Sequence, residues 1–521
     1  SWLYAHAVRA LIRTGGFHFG GYTQAMPVAQ VVYGAAWAKL FGQSSPSFDL
    51  SVAVLGALGA IMFYALARRC GAAITDAAIA TALLAANPCY LFLSFSFMTE
   101  IPFMVLFISA FLAFARAVEE DSNAWRWLAG LLAFAGFMVR PFAGVAIIGC
   151  AAVLLIYDLH PWRLERAWLR RGAHLLAPFA VAALLCVLEW TWVTRLNGQP
   201  WKLARSEHQL RYIFYLPAAA YARDGVLAPL LYLGVVLSPL ALMGLAGLRW
   251  HRAVLFATAV LVAAWILMRL SPGWPTAPEF SCCGGWRNAL LLRGLSTRFF
   301  WAGRGQWPAT VLGSFGAVGI VVAAATVSSR LDRAAAAMMV AAGCYWAATI
   351  PLWFFNDRYY LVMLPAGCLL LAISGFAQRP LRAACAIAMA AVLAGVSIGT
   401  LCQYQSGLRA VVAAFDELER SGVPRSEIDA GYALNGRDLY PSGTEDAARQ
   451  EAGIPMITSH ALSRYTIAIA PVPGTEVVRR LPFTGPFGLV PGEIYVLRKL
   501  APIPTRPVSQ PPASGESRGS E

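Results

Sequence analysis

Three short stretches hold residues able to do chemistry, each set among apolar runs. In "SFMTEIPF", residues 96–103, Glu100 follows Thr99 and precedes Pro102. A carboxylate there is costly to bury unless it is paired, wet or working. In "FFNDRYYLVMLP", residues 354–365, Asp357 and Arg358 are adjacent and lead into Tyr359 and Tyr360. In "FMVRPFAG", residues 137–144, Arg140 stands before Pro141. A carboxylate can take a proton from a hydroxyl or amine, and a guanidinium can hold a phosphate.

Plainer readings stay open beside these. Glu100 also suits the positive end of a helix dipole, with Thr99 as N-cap and Pro102 in the first turn, partly wet at an outer mouth. Asp357 and Arg358 also suit a local ion pair flanked by interfacial tyrosines, and Arg140 also suits snorkelling. Glu189 is a weaker candidate without an obvious partner. His6, His18 and His208 suit proton shuttling or phosphate contact, or a bland surface role. No Walker loop, GxSxG, HExxH or Cys/His array is present, which argues against an ATP-driven pump or a soluble-type hydrolase.

The elements that must position these residues are membrane helices. The chain has 521 residues, of which 58% are hydrophobic and only 13% charged. Soluble domains carry about twice that charge fraction. Apolar runs of bilayer-spanning length, roughly 20 residues each, recur through the first four fifths of the chain. The net charge of +14 does not imply nucleic acid, because the arginines lie between apolar spans rather than along one face. Most of the ten cysteines lie inside apolar runs and read as small hydrophobes.

Residues 2–14 place Leu3, Ala7 and Leu11 on one helical face with Arg9 and Arg13 opposite, the pattern of a helix lying at an interface. Residues 27–41 read as a second interface helix, because Gln30 and Lys39 interrupt what would otherwise be a span. Twelve spans follow at about 47–67, 73–93, 101–117, 124–139, 142–157, 173–194, 226–248, 253–270, 309–327, 334–354, 359–377 and 382–401.

Alternate short connections carry Arg68 and Arg69, Arg163 to Arg171, Arg249 and Arg252, Arg330 and Arg333, and Arg379 and Arg382. The positive-inside rule makes that face cytoplasmic, so Glu100, Asp357 and Arg358 face outward. Two long outward loops, 195–225 and 271–308, keep arginines on the outer side, and an anionic ligand would explain them. Beyond Leu401 a helix is expected at 407–421, ending at Gly422, followed by strands at "IDAGYAL", "YTIAIA" and "EIYVL". The organisation expected is therefore an outward loop with interface helices at 1–46, a membrane region at 47–401, an α/β domain outside the membrane at 402–500, and a disordered tail at 501–521.

The stretches "WLYAHAVRALIRTGGF", "QVVYGAAWAKLFGQS", "LLAANPCYLFLSFSFMTEIPF", "FMVRPFAG", "FNDRYYLVMLPA" and "DAGYALNG" run through most of the chain in order. In them the chain resembles the GT-C glycosyltransferases of the protein-mannosyltransferase and aminoarabinose-transferase type, and most of all their bacterial relatives that use polyprenyl-phosphate sugars. The fold this implies is mainly α: a polytopic transmembrane bundle with interface helices and a small extracytoplasmic α/β domain. Relatives begin with one further span and an outward acidic pair, so the resemblance implies thirteen spans and a primary catalytic acid before Ser1. Asp49 stands where relatives commonly carry Arg.

The resemblance implies an inverting transfer of a sugar from a polyprenyl-phosphate donor to a lipid, glycan or protein, in the plasma (inner) membrane with the active face outside. Glu100 becomes the site carboxylate, holding the acceptor or a cation. Arg140 and Arg358 become donor-phosphate contacts, with Asp357 and Tyr359 in the same phosphate- and donor-binding set. Tyr4, His6, Arg205 and Arg211 are secondary candidates, with 195–225 as a lid over the lipid chain. A divalent cation is the one conceivable cofactor; the partners are the lipid-linked donor and membrane lipid, with no nucleic acid. A transporter or lipid flippase is the alternative, and would place acids at the bilayer midplane within paired repeats. A structural or assembly subunit is a third reading.

Overall fold

The structure is a computed structural model that describes residues 2–19, 27–160, 165–197, 222–245, 306–327, 331–350, 357–431, 463–468, 470–472, 474–485 and 491–500, with single positions 255, 258, 259 and 434. Its described residues are mainly helical, with one small sheet. They form two compact units that divide between Gln405 and Ser406.

The first unit opens with α1 (Trp2–Thr14) and α2 (Val28–Phe41). Then come α3 (Ser45–Arg69), α4 (Ile74–Ala86), α5 (Pro88–Ser94), α6 (Glu100–Glu119), α7 (Asn123–Phe137) and α8 (Gly144–Val153). These are followed by α9 (Arg166–Asn197), α10 (Ala228–Leu245), α11 (Gln306–Val327) and α12 (Arg333–Thr349). Short α13 (Asp357–Tyr360) and α14 (Met363–Ile373) precede α15 (Pro380–Arg420).

Local chemistry explains several boundaries. Ser44 caps α3 by accepting from the Ser47 N–H at 3.3 Å, with Pro46 in the first turn. Asp332 caps α12 through the Ala334 N–H at 2.9 Å. Thr99 occupies the N-cap position of α6 but makes no capping bond, so that expectation is corrected: its hydroxyl pairs with Tyr4 instead.

By length and apolar composition, six described helical stretches can cross a membrane, or seven if α4 and α5 form one span bent by 63°. The sequence reading counted more because a hydropathy window averages over breaks. The run 73–93 breaks at Asn87-Pro88, where the Asn87 side chain accepts from both the Cys89 and Tyr90 N–H groups. The run 359–377 divides into α13 and α14. The run 124–139 is a helix of 15 residues. Most of the run 253–270 lies outside the described residues. Nor does a helix end at 401, since α15 continues for 41 residues to Arg420.

Helices in this unit pack through small residues, as membrane helices do when backbones approach closely. A Cβ on Gly149 of α8 would lie 2.3 Å from the Ala337 carbonyl of α12. One on Gly234 of α10 would lie 2.0 Å from the Gly313 carbonyl of α11. The core includes a column of phenylalanines on α6, Phe103, Phe107, Phe111 and Phe114, all fully buried. Leu184, Val187 and Leu188 of α9, and Ile387, Val392 and Ile398 of α15, stand exposed, as lipid-facing side chains must. The chain is a multi-pass membrane protein.

In the second unit, α15 ends before Gly422, whose φ of +86° suits glycine. The sheet contains β1 (Ile428–Asp429), β2 (Tyr465–Ala468), β3 (Thr475–Thr484) and β4 (Pro491–Lys499), in the order β1-β2-β4-β3. β1 runs parallel to β2; the other neighbours are antiparallel. Ile467 pairs with Val496, and both are buried. β3 was not anticipated, because Arg479, Arg480 and Pro482 interrupt its alternation. It is held by the Arg498–Glu476 pair at 2.7 Å and by Arg480 over the Tyr495 ring.

Candidate functional site

Glu100 is the first residue of α6 and is only 3% exposed. The chain leading into it is held from α3: an Asp49 carboxylate oxygen accepts the Phe97 N–H at 3.0 Å, and the Phe97 ring packs on Phe48 at 4.8 Å. Glu100 is therefore a buried acid in a fixed turn, not the partly wet group expected.

Arg140 follows the end of α7. Its N–H donates to the Gly136 carbonyl at 2.9 Å, and its own carbonyl accepts from Ala143 at 2.9 Å in the 3₁₀ turn opened by Pro141. The residue before a proline is driven to an extended conformation, here φ −148°, ψ 125°. That bend brings Arg140 Nη1 to 3.0 Å from Glu100 Oε1.

Arg358 arrives from the other end of the chain on α13, its Nε 3.9 Å from the same Oε1. The ring of Tyr359 lies beside both guanidiniums, with centroid distances of 5.9 Å to Arg140 and 5.3 Å to Arg358. Both arginine side chains are 14% exposed. Burial weakens each as a cation, but their neighbours outweigh it: Glu100 foremost for Arg140, Tyr359 and then Glu100 for Arg358. Both pKa values end up raised. Two permanent positive charges thus share one Glu100 oxygen.

Tyr4 completes the near side. It is buried on α1, shares a hydrogen bond with Thr99 and lies within electrostatic reach of Glu100, Arg140 and Arg358. Burial raises the pKa of its phenol, and the Glu100 charge raises it further, so it stays protonated. Among the described residues, Glu100 Oε2 has no hydrogen-bond partner.

The structure therefore joins Glu100, Arg140, Arg358, Tyr359 and Tyr4 in one cluster. His6 is half-buried on α1, and His18 is exposed. Asp357 opens α13, and its side chain is outside the described part, as are Arg205, Arg211 and His208. Among the described residues no three His, Cys, Asp or Glu side chains gather to hold a metal ion, and the nearest charges to Glu100 are guanidiniums.

Sequence reasoning missed one contact and one residue here. Asp49 was noticed only as standing where relatives commonly carry Arg, and gave no local sign of reaching Phe97 from the first two turns of α3. Tyr345, buried on α12, lies within electrostatic reach of Arg140, Tyr359 and Glu100, and packs edge-on to Phe142 at 5.4 Å. Only the meeting of α8 with α12 could have placed it there.

Residues 27–192, from the start of α2 into α9, match the family model described as dolichyl-phosphate-mannose-protein mannosyltransferase. The match includes Glu100 and Arg140. It spans about a third of the chain. No curated protein matches the chain significantly.

Three solved structures are similar at low identity. ArnT from Cupriavidus metallidurans in the apo state is 14% identical, covering 95% of this chain and 92% of that one, with a TM-score of 0.39. The same protein bound to undecaprenyl phosphate is 14% identical over 95% and 93%, with a TM-score of 0.39. The archaeal oligosaccharyltransferase AglB from Archaeoglobus fulgidus, in complex with an inhibitory peptide and a dolichol-phosphate, is 16% identical over 85% of this chain and 56% of that one, with a TM-score of 0.41.

Proposed function

We propose that the chain transfers a sugar from a polyprenyl-phosphate donor to a hydroxyl or amine acceptor on the extracytoplasmic face, with inversion at the anomeric carbon. One observation carries this reading: two nearly buried guanidiniums converge on a single carboxylate oxygen of Glu100, side by side against the ring of Tyr359. Two guanidiniums held together in this way can receive the oxygens of an anion. A lipid-linked phosphate is such an anion, and the family description of residues 27–192 names a donor of that kind.

The chemistry then distributes simply. The acceptor oxygen or nitrogen attacks the anomeric carbon from the face opposite the phosphate. The bond from that carbon to the phosphate oxygen breaks, and its electron pair stays on the lipid phosphate. Arg140 and Arg358 stabilise the charge that grows there, which is where fixed cations lower a barrier. Tyr359 holds the guanidiniums in place from the side. The acceptor's proton passes to a carboxylate base. Glu100 ties the two arginines together through Oε1 and keeps Oε2 for the acceptor. The short, arginine-rich connections on the other side of the spans support the outward placement of this site.

The test is binding of undecaprenyl phosphate to the purified chain in detergent. Arg140→Ala and Arg358→Ala should each weaken it by about 10- to 150-fold, since a charge-assisted hydrogen bond contributes roughly 1.5–3 kcal/mol. Unchanged affinity in both variants would remove the cluster from the donor site.

A further inference from the structure

Gln30 is the polar residue that interrupts the apolar run of α2, and the reaction as described has no use for it. It is 1% exposed, and among the described residues neither its Oε1 nor its Nε2 has a hydrogen-bond partner. A buried amide that has given up water and received nothing in return destabilises a fold. Leucine or methionine would fill the same volume without that cost.

Two contacts locate it. One residue earlier, the Ala29 N–H donates to the Met138 carbonyl at 3.2 Å, two residues before Arg140. One turn later, a Cβ on Gly34 would lie 2.8 Å from the Phe97 ring, three residues before Glu100. Gln30 and Gly34 are four apart, so they share a helical face and differ by about 6 Å along the axis. The segments that α2 touches on either side of Gln30 are thus the two that meet as the Glu100–Arg140 pair at 3.0 Å.

The chemistry of the amide narrows what it can bind. Phosphate oxygens accept only, so they would leave its carbonyl unsatisfied and repelled, and the phosphate already has two guanidiniums. A pair of neighbouring hydroxyls both donates and accepts, which matches an amide's two donors and one acceptor. We infer that the Gln30 side chain binds hydroxyl groups of the sugar carried on the lipid phosphate, as the neutral part of the same site. This assignment rests on the donor reading above.

The experiment compares the full chain in detergent binding bare undecaprenyl phosphate and the same lipid carrying glucose, mannose, galactose or arabinose. The wild type should bind at least one glycosylated lipid about tenfold more tightly than the bare one, as two ordinary hydrogen bonds provide. Gln30→Leu should erase that preference, leave bare-lipid affinity within twofold, and unfold at the same or a higher temperature. Gln30→Met repeats the comparison should the leucine variant fold poorly. The inference is overturned if the wild type prefers none of the four sugars, or if both variants keep the preference. Failure of bare undecaprenyl phosphate to bind the wild type would instead count against the arginine pair. Gln30 would then be judged by whether any glycosylated lipid binds and loses affinity in the variants.

Discussion

The two ends of α6 each carry a glutamate, and their surroundings differ in kind. Glu119, the last residue, has a side chain 41% exposed and pairs with Arg69, one acid to one cation. Nearby ends of other helices repeat that balance, with Asp121 on Arg126 and Asp158 on Arg333 at 2.6 Å. Glu100, the first residue, is buried and faces two arginines. The far end is self-contained: its pairs neutralise themselves and, being partly wet, contribute about 0–1 kcal/mol each. The near end differs in two respects: it is buried, and one carboxylate oxygen is shared by two guanidiniums. A pair of guanidiniums gathered in a buried place suits a phosphate, whereas the single wet pairs of the far end do not.

That contrast can be broken by experiment. The largest effect is expected on turnover. Arg140→Ala or Arg358→Ala should lower sugar transfer in membranes by about 10²–10³-fold, as removal of a fixed donor at a developing charge typically does. Arg69→Ala should change it less than twofold; equal losses at both ends would erase the distinction drawn here.

Stability should separate the ends next. Glu100→Leu strands two buried cations and should cost about 3–5 kcal/mol, read as a lowered unfolding midpoint in detergent. Glu119→Gln should cost no more than about 1 kcal/mol. A Glu100→Leu midpoint equal to the wild type would mean that the arginines are not held by this acid.

A smaller effect tests how the near end is built. Asp49→Ala removes the acceptor of the Phe97 N–H and should cost about 1–3 kcal/mol, with faster hydrogen exchange over residues 96–100. Asp49→Asn retains an oxygen acceptor and should stay close to the wild type in exchange rate. If both variants exchange alike, it is the charge of Asp49 rather than its hydrogen bond that matters.

Much of this was legible in the sequence, for reasons that differ by residue. Glu100 announced itself because a charge inside an apolar window is conspicuous, and Arg140 and Arg358 because each flanks a span beside Pro141 or the paired tyrosines. That the first two helices are not ordinary spans was suggested by the placement of Arg9, Arg13, Gln30 and Lys39, and helices do form at both places. Less was legible about breaks. The kink at Asn87-Pro88 depends on a side chain turning back to cap its own backbone, and the division after Tyr360 is marked only by Pro365, which cannot donate to the Leu361 carbonyl four residues earlier. β3 was invisible because its exposed face mixes arginine with valine.

Hydropathy, charge asymmetry and the positions of prolines, all local quantities, were enough to establish a polytopic helical protein with an acid and two arginines at span ends. They could not establish that residues 4, 100, 140, 345 and 358 share one place, that Asp49 reaches Phe97, or that Gln30 finds no partner among the described residues. Those facts depend on which helices pack together and how closely. Packing joins residues hundreds of positions apart through contacts that leave no periodic trace along the chain.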